Sequence, residues 1–392
     1  MSVQRLPLAL SAEPPASPLD GARFARTTAA QRFAPLPNPF VLHQGGELRD
    51  GVVSFETWGT LNAERDNAIL LFTGLSPSAH AAASALDPSE GWWEQMLGPG
   101  KALDTDRWFV VCVNSLGSPF GSTSPLSINP ATGEAYRLSF PELAIEDIAR
   151  AGYETIRSLD IARLAAVVGP SLGGMAVLAF VALFPGVARR LISISGTDAA
   201  SPVAIALRSV QREAILRDPE WHGGNYRPDQ PPRTGMRLAR KIGTITYRSA
   251  LEWNDRFGRE RIAGNAHRAS GFAPEFAIES YLEAQAERFV RSFDANCYLY
   301  LSRAMDRFDL SAHAPPQEVF ARAGLDSALI IGVESDQLFQ ISEQERVAAA
   351  LVAAGVQTTL VRSLSREGHD AFLVDIPRFD AALRGYLNPE QE

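Results

Sequence analysis

The sequence has 392 residues, of which 46% are hydrophobic and 21% charged, a composition typical of a folded globular protein. This length suits one large α/β domain with an insertion, or two smaller domains. The formal net charge of −8 argues against a general nucleic-acid-binding protein. No apolar run approaches the roughly 20 residues of a membrane span, so we expect no transmembrane helix and a cytoplasmic protein.

Residues 1–37 are predicted to form a mobile tail, because their first part is rich in alanine, proline, serine and arginine and lacks periodicity. A targeting peptide is the alternative, since arginines outnumber acidic residues there. However, Pro14, Pro15 and Pro18 would interrupt a long amphipathic helix. We therefore expect a cytoplasmic tail, with the folded core beginning at residue 38.

Strand and helix patterns then alternate as far as residue 196. Predicted strands cover residues 51–60, 67–72, 108–113 and 190–196, and apolar positions from Ile145 to Ile156 follow helical spacing. Such alternation predicts a mostly parallel sheet flanked by helices. Cys112 falls in one of these strands and Cys297 lies far from it. We expect both thiols to be buried, with no disulfide and no metal site.

The stretch from Leu164 to Met175 predicts a strand, a sharp turn and a helix. Five apolar residues lead into Gly169, and a helix-compatible apolar run follows Gly173. Ser171 lies between these glycines, which would let the strand and the helix pass each other closely. This is the layout of a nucleophile elbow, although the five-residue pattern by itself also occurs in glycine-rich loops.

The alternation stops in residues 201–315, where helical patterns occur without a convincing buried strand. This segment carries 17 basic and 14 acidic residues, so it is locally basic in an acidic protein, which suits an anionic substrate. The sheet pattern returns at residues 327–333 and 358–363, and the last helix is predicted from Ala371 to Leu387. We therefore predict one α/β core, residues 38–200 and 316–392, with a helical insertion.

Polar loops follow the two late strands, at the sheet edge where open α/β folds gather active-site residues. They supply Asp336 and His369, and the chain order Ser171, Asp336, His369 is that of α/β-hydrolase triads. His369 would take the proton of the serine hydroxyl, and Asp336 would orient the imidazole. Glu334 is the alternative acid.

Backbone N–H groups of Leu172 and of the loop from Thr73 to Leu75 would form an oxyanion hole. His80 lies near that loop and is a candidate to line the pocket. Histidines in other polar loops receive no role: His43, His222, His267 and His313.

Four motifs together resemble the homoserine O-acyltransferase family of α/β-hydrolase-fold enzymes. They are residues 55–62, 169–175, 335–339 and 368–373, and the resemblance extends from about residue 38 to 388. Residues 73–77, 91–93, 112–117 and 245–253 are similar to the branch of that family that transfers succinyl groups to serine. Phe55, Pro170 and Leu172 depart from the usual family pattern, which often has tyrosine, a non-proline residue and methionine there.

This resemblance implies an α/β-hydrolase fold with a helical lid formed by the insertion. It implies transfer of succinyl from succinyl-CoA to the hydroxyl of L-serine, a step toward cysteine, by a ping-pong mechanism on Ser171. Succinyl-CoA would be a co-substrate, with no bound cofactor, and the enzyme would be a homodimer. A homoserine O-succinyl- or O-acetyltransferase and a plain esterase are the alternatives. A non-enzymatic binding protein is disfavoured, because Ser171, Asp336 and His369 all occur in order.

The resemblance also implies roles for residues outside the triad. Arg240 would hold the carboxylate of the acceptor amino acid, and Asp370 would hold its ammonium group. The loop residues Gly74, Leu75, Ser76 and Pro77 would decide acceptor choice. Arg208 is the candidate for the carboxylate of the succinyl group, and a solvated helix arginine is its alternative interpretation.

Overall fold

The computed structural model describes residues 28–262 and 272–388. The strands are β1 Arg32–Pro35, β2 Phe40–Val41, β3 Glu47–Leu48, β4 Val52–Trp58, β5 Ala68–Phe72, β6 Leu97–Gly98, β7 Leu103–Asp104, β8 Phe109–Val113, β9 Ala166–Pro170, β10 Arg190–Ile194, β11 Ser327–Val333 and β12 Gln357–Ser363. The helices are α1 Ile145–Ser158, α2 Leu172–Leu183, α3 Pro202–Leu216, α4 Arg233–Tyr247, α5 Ala250–Arg256, α6 Ala277–Ser292, α7 Ala295–Arg307, α8 Pro316–Arg322, α9 Ile341–Ala353, α10 Ala371–Val374 and α11 Ile376–Leu387.

Eight of these strands form a twisted central sheet in the order β1-β4-β8-β5-β9-β10-β11-β12. Strands β1 and β4 pair antiparallel with their neighbours, and every pair from β8 through β12 is parallel. The mostly parallel sheet predicted from the sequence is therefore present. Because the carboxyl ends of the parallel strands share one edge, the loops after β5, β9, β11 and β12 meet there.

The first strand corrects the predicted start of the core. Residues 32–35 pair with residues 52–55 at the edge of the sheet, ahead of the predicted boundary at residue 38. A four-residue strand that ends in Pro35 gives almost no alternating pattern, and proline is tolerated there because the strand lies at an edge. The rest of the predicted tail, residues 1–27, lies outside the described residues.

Apolar side chains cover both faces of the sheet. One layer contains α1 and α2, and the other contains the last helices of the chain. Helix α2 is apolar on all sides, from Leu172 to Leu183, because the sheet lies beneath it and other helices surround it. Cys112 and Cys297 are both fully buried free thiols, as predicted.

The insertion begins after β10 and returns to the core before β11. Helix α3 packs on α4 and α7, and α4 packs on α6. In the part of the insertion that the structure describes, no strand joins the central sheet. Its two ends meet at a narrow neck, where the N–H of Leu310 donates to the carbonyl of Asp198 at 2.7 Å.

The last predicted helix is interrupted. Residues 371–387 form α10 and α11, separated at Asp375, instead of one continuous helix. Pro377 lies in the first turn of α11, where a missing N–H costs nothing, whereas in mid-helix it would remove a hydrogen bond. Among the helices that the structure describes, none is both long and apolar enough to cross a bilayer.

Candidate active site

Ser171 occupies a strained turn between β9 and α2. Its φ and ψ are 56° and −119°, a conformation that costs a non-glycine residue about 1–3 kcal/mol. The turn is held on both sides, because the N–H of Ser171 donates to Ile194 of β10 at 2.8 Å and its carbonyl accepts from Met175 at 3.1 Å. The surrounding structure therefore imposes this conformation and sets the direction of the hydroxyl.

The glycines beside Ser171 are required by close packing. A Cβ at Gly169 would lie 2.2 Å from the carbonyl oxygen of Gly173, and a Cβ at Gly173 would lie 2.7 Å from that of Phe72. No side chain fits these gaps without moving the backbone. The strand and the helix therefore pass at the distance that the sequence pattern predicts.

Pro170 is accommodated because a backbone N–H at this position would have no hydrogen-bond acceptor on a neighbouring strand. The N–H of Ser171 faces β10, and successive residues of a strand direct their N–H groups to opposite sides, so position 170 faces β5. On that side the β5–β9 register ends at Leu71 and Val168. Proline at position 170 therefore breaks no recorded ladder pair.

Ser171, His369 and Asp336 form one chain of hydrogen bonds. The Nε2 of His369 lies 2.8 Å from the Oγ of Ser171, and its Nδ1 lies 2.7 Å from the Oδ2 of Asp336. The other carboxylate oxygen of Asp336 accepts the backbone N–H groups of Leu338 and Phe339, at 2.8 and 2.9 Å. Both oxygens of the buried acid are thus satisfied and its orientation is fixed.

Glu334, the alternative acid, is exposed and points elsewhere. Its carboxylate lies 3.8 Å from Arg362 on the surface. The choice between the two acids is decided by the turn after β11, in which the N–H of Asp336 donates to Val333 and the side chain turns inward.

The environment of His369 favours its protonated form. Burial by itself would lower the pKa of the imidazole, but the charge and hydrogen bond of Asp336 outweigh it, and the pKa lies above its ordinary value. The ring of Phe339 stacks on the imidazole with centroids 4.9 Å apart. An imidazole held in this way can take a proton from the serine hydroxyl.

The loop after β5 lies against the nucleophile. A Cβ at Gly74 would be 4.0 Å from the Cβ of Ser171, and Leu75, Ser76 and Pro77 are half-buried beside it. The loop is anchored at its far end, where Ala79 donates to the side chain of Asn114 at 2.6 Å.

Two backbone N–H groups near Ser171 have the properties of oxyanion donors. Within residues 28–262 and 272–388, the N–H groups of Leu172 and Leu75 donate to no recorded acceptor. Leu172 begins α2, where the first N–H groups of a helix lack internal partners. Both groups can therefore donate to an oxygen on a bound substrate.

The insertion covers the loop that carries the base. Gly368 has a φ of 71°, and a Cβ there would lie 2.8 Å from the carbonyl oxygen of Tyr247, so the loop packs tightly under the end of α4. The hydroxyl of Ser249 donates to the carbonyl of Arg366. Arg248 pairs with Glu367 at 2.8 Å and reaches Asp370 at 3.4 Å.

Arg240 projects from α4 and forms no ion pair with an acidic side chain among the described residues. Its guanidinium lies over the rings of Phe289 and Tyr247, at 4.6 and 5.3 Å, and its buried Nε hydrogen-bonds to no described atom. The positive charge of Arg240 acts on the carboxyl group of Asp370. Burial raises the pKa of Asp370, and the charges of Arg248, His369 and Arg240 partly oppose that rise.

Arg208 is buried in α3 and is not a solvated helix arginine. Its Nε pairs with Asp306 at 2.5 Å, and the second oxygen of Asp306 pairs with Arg212 at 2.6 Å. Both terminal nitrogens of Arg208 are buried and hydrogen-bond to nothing among the described residues. The positive charge of Arg208 also opposes the rise in the pKa of the His369 imidazole.

Tyr247, which has no role among the sequence predictions, lies close to the base. Its ring lies 6.0 Å from that of His369. Burial raises the pKa of its phenol, on which Arg240, Asp370 and Arg208 all act. The signal available in the sequence was its place within the motif of residues 245–253.

His80 lines a cavity beside the loop after β5. Its Nδ1 lies 2.9 Å from Glu56, and its Nε2 lies 2.9 Å from the carbonyl oxygen of Ser89. The cavity has a volume of about 370 Å³ and includes Ser76 in its wall. No triad residue lines this cavity, so a place for His80 in the active-site pocket stays a prediction.

Comparison with known proteins identifies related sequences over most of the chain. The family described as alpha/beta hydrolase fold matches residues 67–376. A serine O-succinyltransferase of Stenotrophomonas maltophilia (strain K279a) is 56% identical over 359 residues, which cover 91% of this chain and 97% of its own length. One from Xanthomonas campestris pv. campestris (strain B100) is 54% identical over 368 residues, with the same coverage.

Two solved structures share the fold over about nine-tenths of this chain. A homoserine O-acetyltransferase from Bacillus anthracis superposes with a TM-score of 0.84 at 28% identity, over 91% of this chain and 97% of its own. Esterase E22 superposes with a TM-score of 0.81 at 29% identity, over 91% and 99%. The predicted fold class is confirmed, and the same architecture supports both acyl transfer and ester hydrolysis in these proteins.

Proposed function

The chain belongs to the α/β-hydrolase family, among relatives named serine O-succinyltransferase, and on this premise we propose that it transfers a succinyl group from succinyl-CoA to the hydroxyl of L-serine. The products would be O-succinyl-L-serine and CoA. The sequence identity of 54–56% over nine-tenths of the chain carries the choice of substrates. We further propose that the enzyme acts in the cytoplasm, in the synthesis of cysteine.

The first half-reaction would acylate Ser171. The imidazole of His369 takes the proton of the hydroxyl as Oγ attacks the thioester carbonyl, and the N–H groups of Leu172 and Leu75 stabilise the oxyanion. Collapse of this intermediate breaks the C–S bond, and His369 returns the proton to the CoA sulfur. A succinyl ester on Ser171 remains.

The second half-reaction would transfer the acyl group. The hydroxyl of the bound serine gives its proton to His369 and attacks the ester carbonyl, and the proton then returns to Ser171 as its Oγ leaves. Asp336 stabilises the imidazolium in both halves. The insertion, packed over the base loop, would exclude water, so that serine instead of water accepts the acyl group.

Groups above the base would hold the acceptor. Arg240 offers a guanidinium without an acidic partner among the described residues, which suits the carboxylate of serine. Asp370 would bind the ammonium group. The loop of Gly74, Leu75, Ser76 and Pro77 lies against Ser171, where its half-buried side chains would limit the length of the acceptor.

Arg208 would bind the carboxylate of the succinyl group. A buried guanidinium with two nitrogens lacking partners is costly unless a ligand satisfies it. A succinyl group carries the carboxylate needed for that, whereas an acetyl group does not. This feature supports a dicarboxylic acyl donor in preference to acetyl-CoA.

We also propose that two copies associate through the insertion. Two neighbouring helices of the insertion each carry two apolar side chains that are about half exposed and seven residues apart. They are Val203 and Val210 on α3, and Leu238 and Ile245 on α4. Residues seven apart lie on one face of a helix, so each helix presents an apolar stripe that a second copy would cover. A monomer in light scattering at micromolar concentration would contradict this.

One assay tests the reaction. Purified protein is mixed with succinyl-CoA or acetyl-CoA and with L-serine or L-homoserine, while thiol release and amino-acid product are measured. We expect succinyl-CoA alone to release about one equivalent of thiol as Ser171 is acylated, and fast multiple-turnover release only when serine is also present. Release that needs homoserine would overturn the acceptor, and preference for acetyl-CoA would overturn the donor. Equal release without an acceptor would indicate an esterase-like hydrolase.

A further inference from the structure

Two histidines and a glutamate from distant parts of the sequence meet on the side of the core next to the insertion neck. His43 follows β2, Glu146 lies in the first turn of α1, and His313 follows the short 3-10 helix Leu310–Ala312. None of these residues belongs to the triad or to the groups proposed to bind substrate. From the sequence, the two histidines have no predicted role and no metal site is expected.

The three side chains direct ligand atoms at one point. The Nε2 of His313 lies 3.1 Å from the Oε1 of Glu146, and the Nε2 of His43 lies 3.8 Å from the same oxygen. All three ligand atoms lie within 4.8 Å of one another. Ligands about 2.0–2.2 Å from a tetrahedral metal ion stand a little over 3 Å apart, so small side-chain movements would complete the geometry.

The carboxylate at the centre lacks a permanent cationic partner. The side chain of Glu146 is only 6% exposed, and no lysine or arginine of the described part of the chain pairs with it. A buried carboxylate needs compensating charge, and two imidazoles supply it only when protonated. A divalent cation would satisfy all three groups at once.

The backbone already holds two of the ligands in place. The N–H of His43 donates to the buried carboxylate of Asp147 at 2.7 Å, and the other oxygen of Asp147 accepts the N–H of Ala144 at the start of α1. The N–H of His313 donates to the carbonyl of Leu310 at 3.1 Å. These bonds fix the spacing between the loop after β2 and the first turn of α1.

We propose that His43, Glu146 and His313 bind one zinc ion. Zinc favours imidazole nitrogen and carboxylate oxygen, and three protein ligands leave a fourth position for water, which the exposed side of His43 allows. Because His313 lies where the chain returns from the insertion, the ion would cross-link that return to α1 and to the loop after β2. Its role would be to stabilise the neck of the insertion.

The test measures metal binding directly. Full-length protein is treated with a chelator, dialysed, and titrated with zinc by calorimetry, and its thermal midpoint is measured with and without zinc. We expect one ion per chain and a higher midpoint with zinc. Loss of an outer-shell partner typically weakens metal affinity about 10- to 100-fold, so His313→Ala, which removes a ligand, should weaken it by at least about 100-fold.

A matched variant and a second ligand change make the result decisive. His222→Ala removes an exposed histidine whose ion-pair partner among the described residues is Glu220, and it should leave zinc affinity unchanged. Glu146→Gln keeps the size of the side chain and should also weaken binding, with folding checked by circular dichroism. Absence of binding to the parent protein, or equal affinity in His43→Ala, His313→Ala and the parent, would overturn the proposal.

Discussion

The core and the insertion pack together at the base loop, but their buried polar groups differ in whether they have hydrogen-bond partners. In the core, the serine, imidazole and carboxylate satisfy one another in a closed series of hydrogen bonds. In the insertion, Arg208 and Arg240 carry buried nitrogens that bond to nothing among the described residues. The core thus contains a complete reactive unit, whereas the insertion contains guanidinium groups with N–H donors that lack partners among the described residues.

This difference separates chemistry from specificity. A satisfied triad is preorganised and can act on any acyl group that reaches it, which is consistent with the same fold in an esterase and an acetyltransferase. Unsatisfied buried guanidinium groups cost stability until a ligand with complementary charge arrives. We therefore expect changes in the triad to abolish nearly all turnover and changes at Arg208 and Arg240 to alter which substrates react.

The largest effect is expected from Ser171→Ala. Removing the nucleophile should lower kcat by about 10⁴- to 10⁶-fold, since the remaining groups cannot form the acyl-enzyme. Intact-mass spectrometry should detect a succinyl adduct on the parent protein and none on the variant. Ser209→Ala, which changes an exposed serine on α3, is the control. A succinyl adduct that persists on the Ser171→Ala variant would show that Ser171 is not the nucleophile.

A change in pH dependence is expected from Asp336→Asn. Activity needs neutral His369, whose pKa is raised, so kcat/KM of the parent should rise with pH to a plateau above that pKa. Without the charge of Asp336, burial lowers the pKa, so the rise should shift to lower pH while the plateau falls about 10⁴-fold. Glu334→Gln should change neither. An unshifted profile in Asp336→Asn would contradict this arrangement.

Smaller and more selective losses are expected in the insertion. Arg208→Ala should slow acylation by succinyl-CoA but not by acetyl-CoA, and Arg240→Ala should leave acylation intact and slow transfer to serine. Each change removes a charged hydrogen bond of about 1.5–3 kcal/mol, equal to about 10- to 150-fold in rate. Stopped-flow measurement of each half-reaction separates them. Arg237→Ala is the control, because Arg237 pairs with Glu283 and Glu287. If either variant slowed both half-reactions equally, the separate roles proposed for Arg208 and Arg240 would be wrong.

The smallest effect is expected at Pro170. Position 170 has no recorded ladder partner on the β5 side, so Pro170→Ala should leave kcat unchanged and lower stability by less than about 1 kcal/mol, through a more flexible unfolded chain. Gly169→Ala should be far worse, because its Cβ would lie 2.2 Å from the carbonyl of Gly173. Thermal melts of both variants test this. A large loss in Pro170→Ala would show that the turn depends on proline.

Much of the core could be predicted from local pattern. Buried parallel strands are short apolar runs, so β5, β8, β9, β10 and β11 were found to within one or two residues. The edge strand β1 was missed, because four residues ending in Pro35 carry too little periodicity. The break at Asp375 was missed as well, since the apolar spacing continues across it.

Sequence alone determined the parts of the site that depend on chain order and local geometry. Gly169 and Gly173 mark a turn too tight for any side chain, and the loops after two late strands had to bring Asp336 and His369 to the same edge as Ser171. These follow from strand direction and backbone sterics, which short segments encode.

Only the tertiary structure decided questions that depend on contacts between distant segments. Glu334 and Asp336 are two residues apart in the sequence. Only the fold shows that the carboxylate of Asp336 binds His369 while that of Glu334 lies at the surface near Arg362. Arg208 is distinguished from a surface arginine by its burial against Asp306, a residue on another helix. The meeting of His43, Glu146 and His313 has no local signal at all, because a ligand set from three separate segments exists only once the chain has folded.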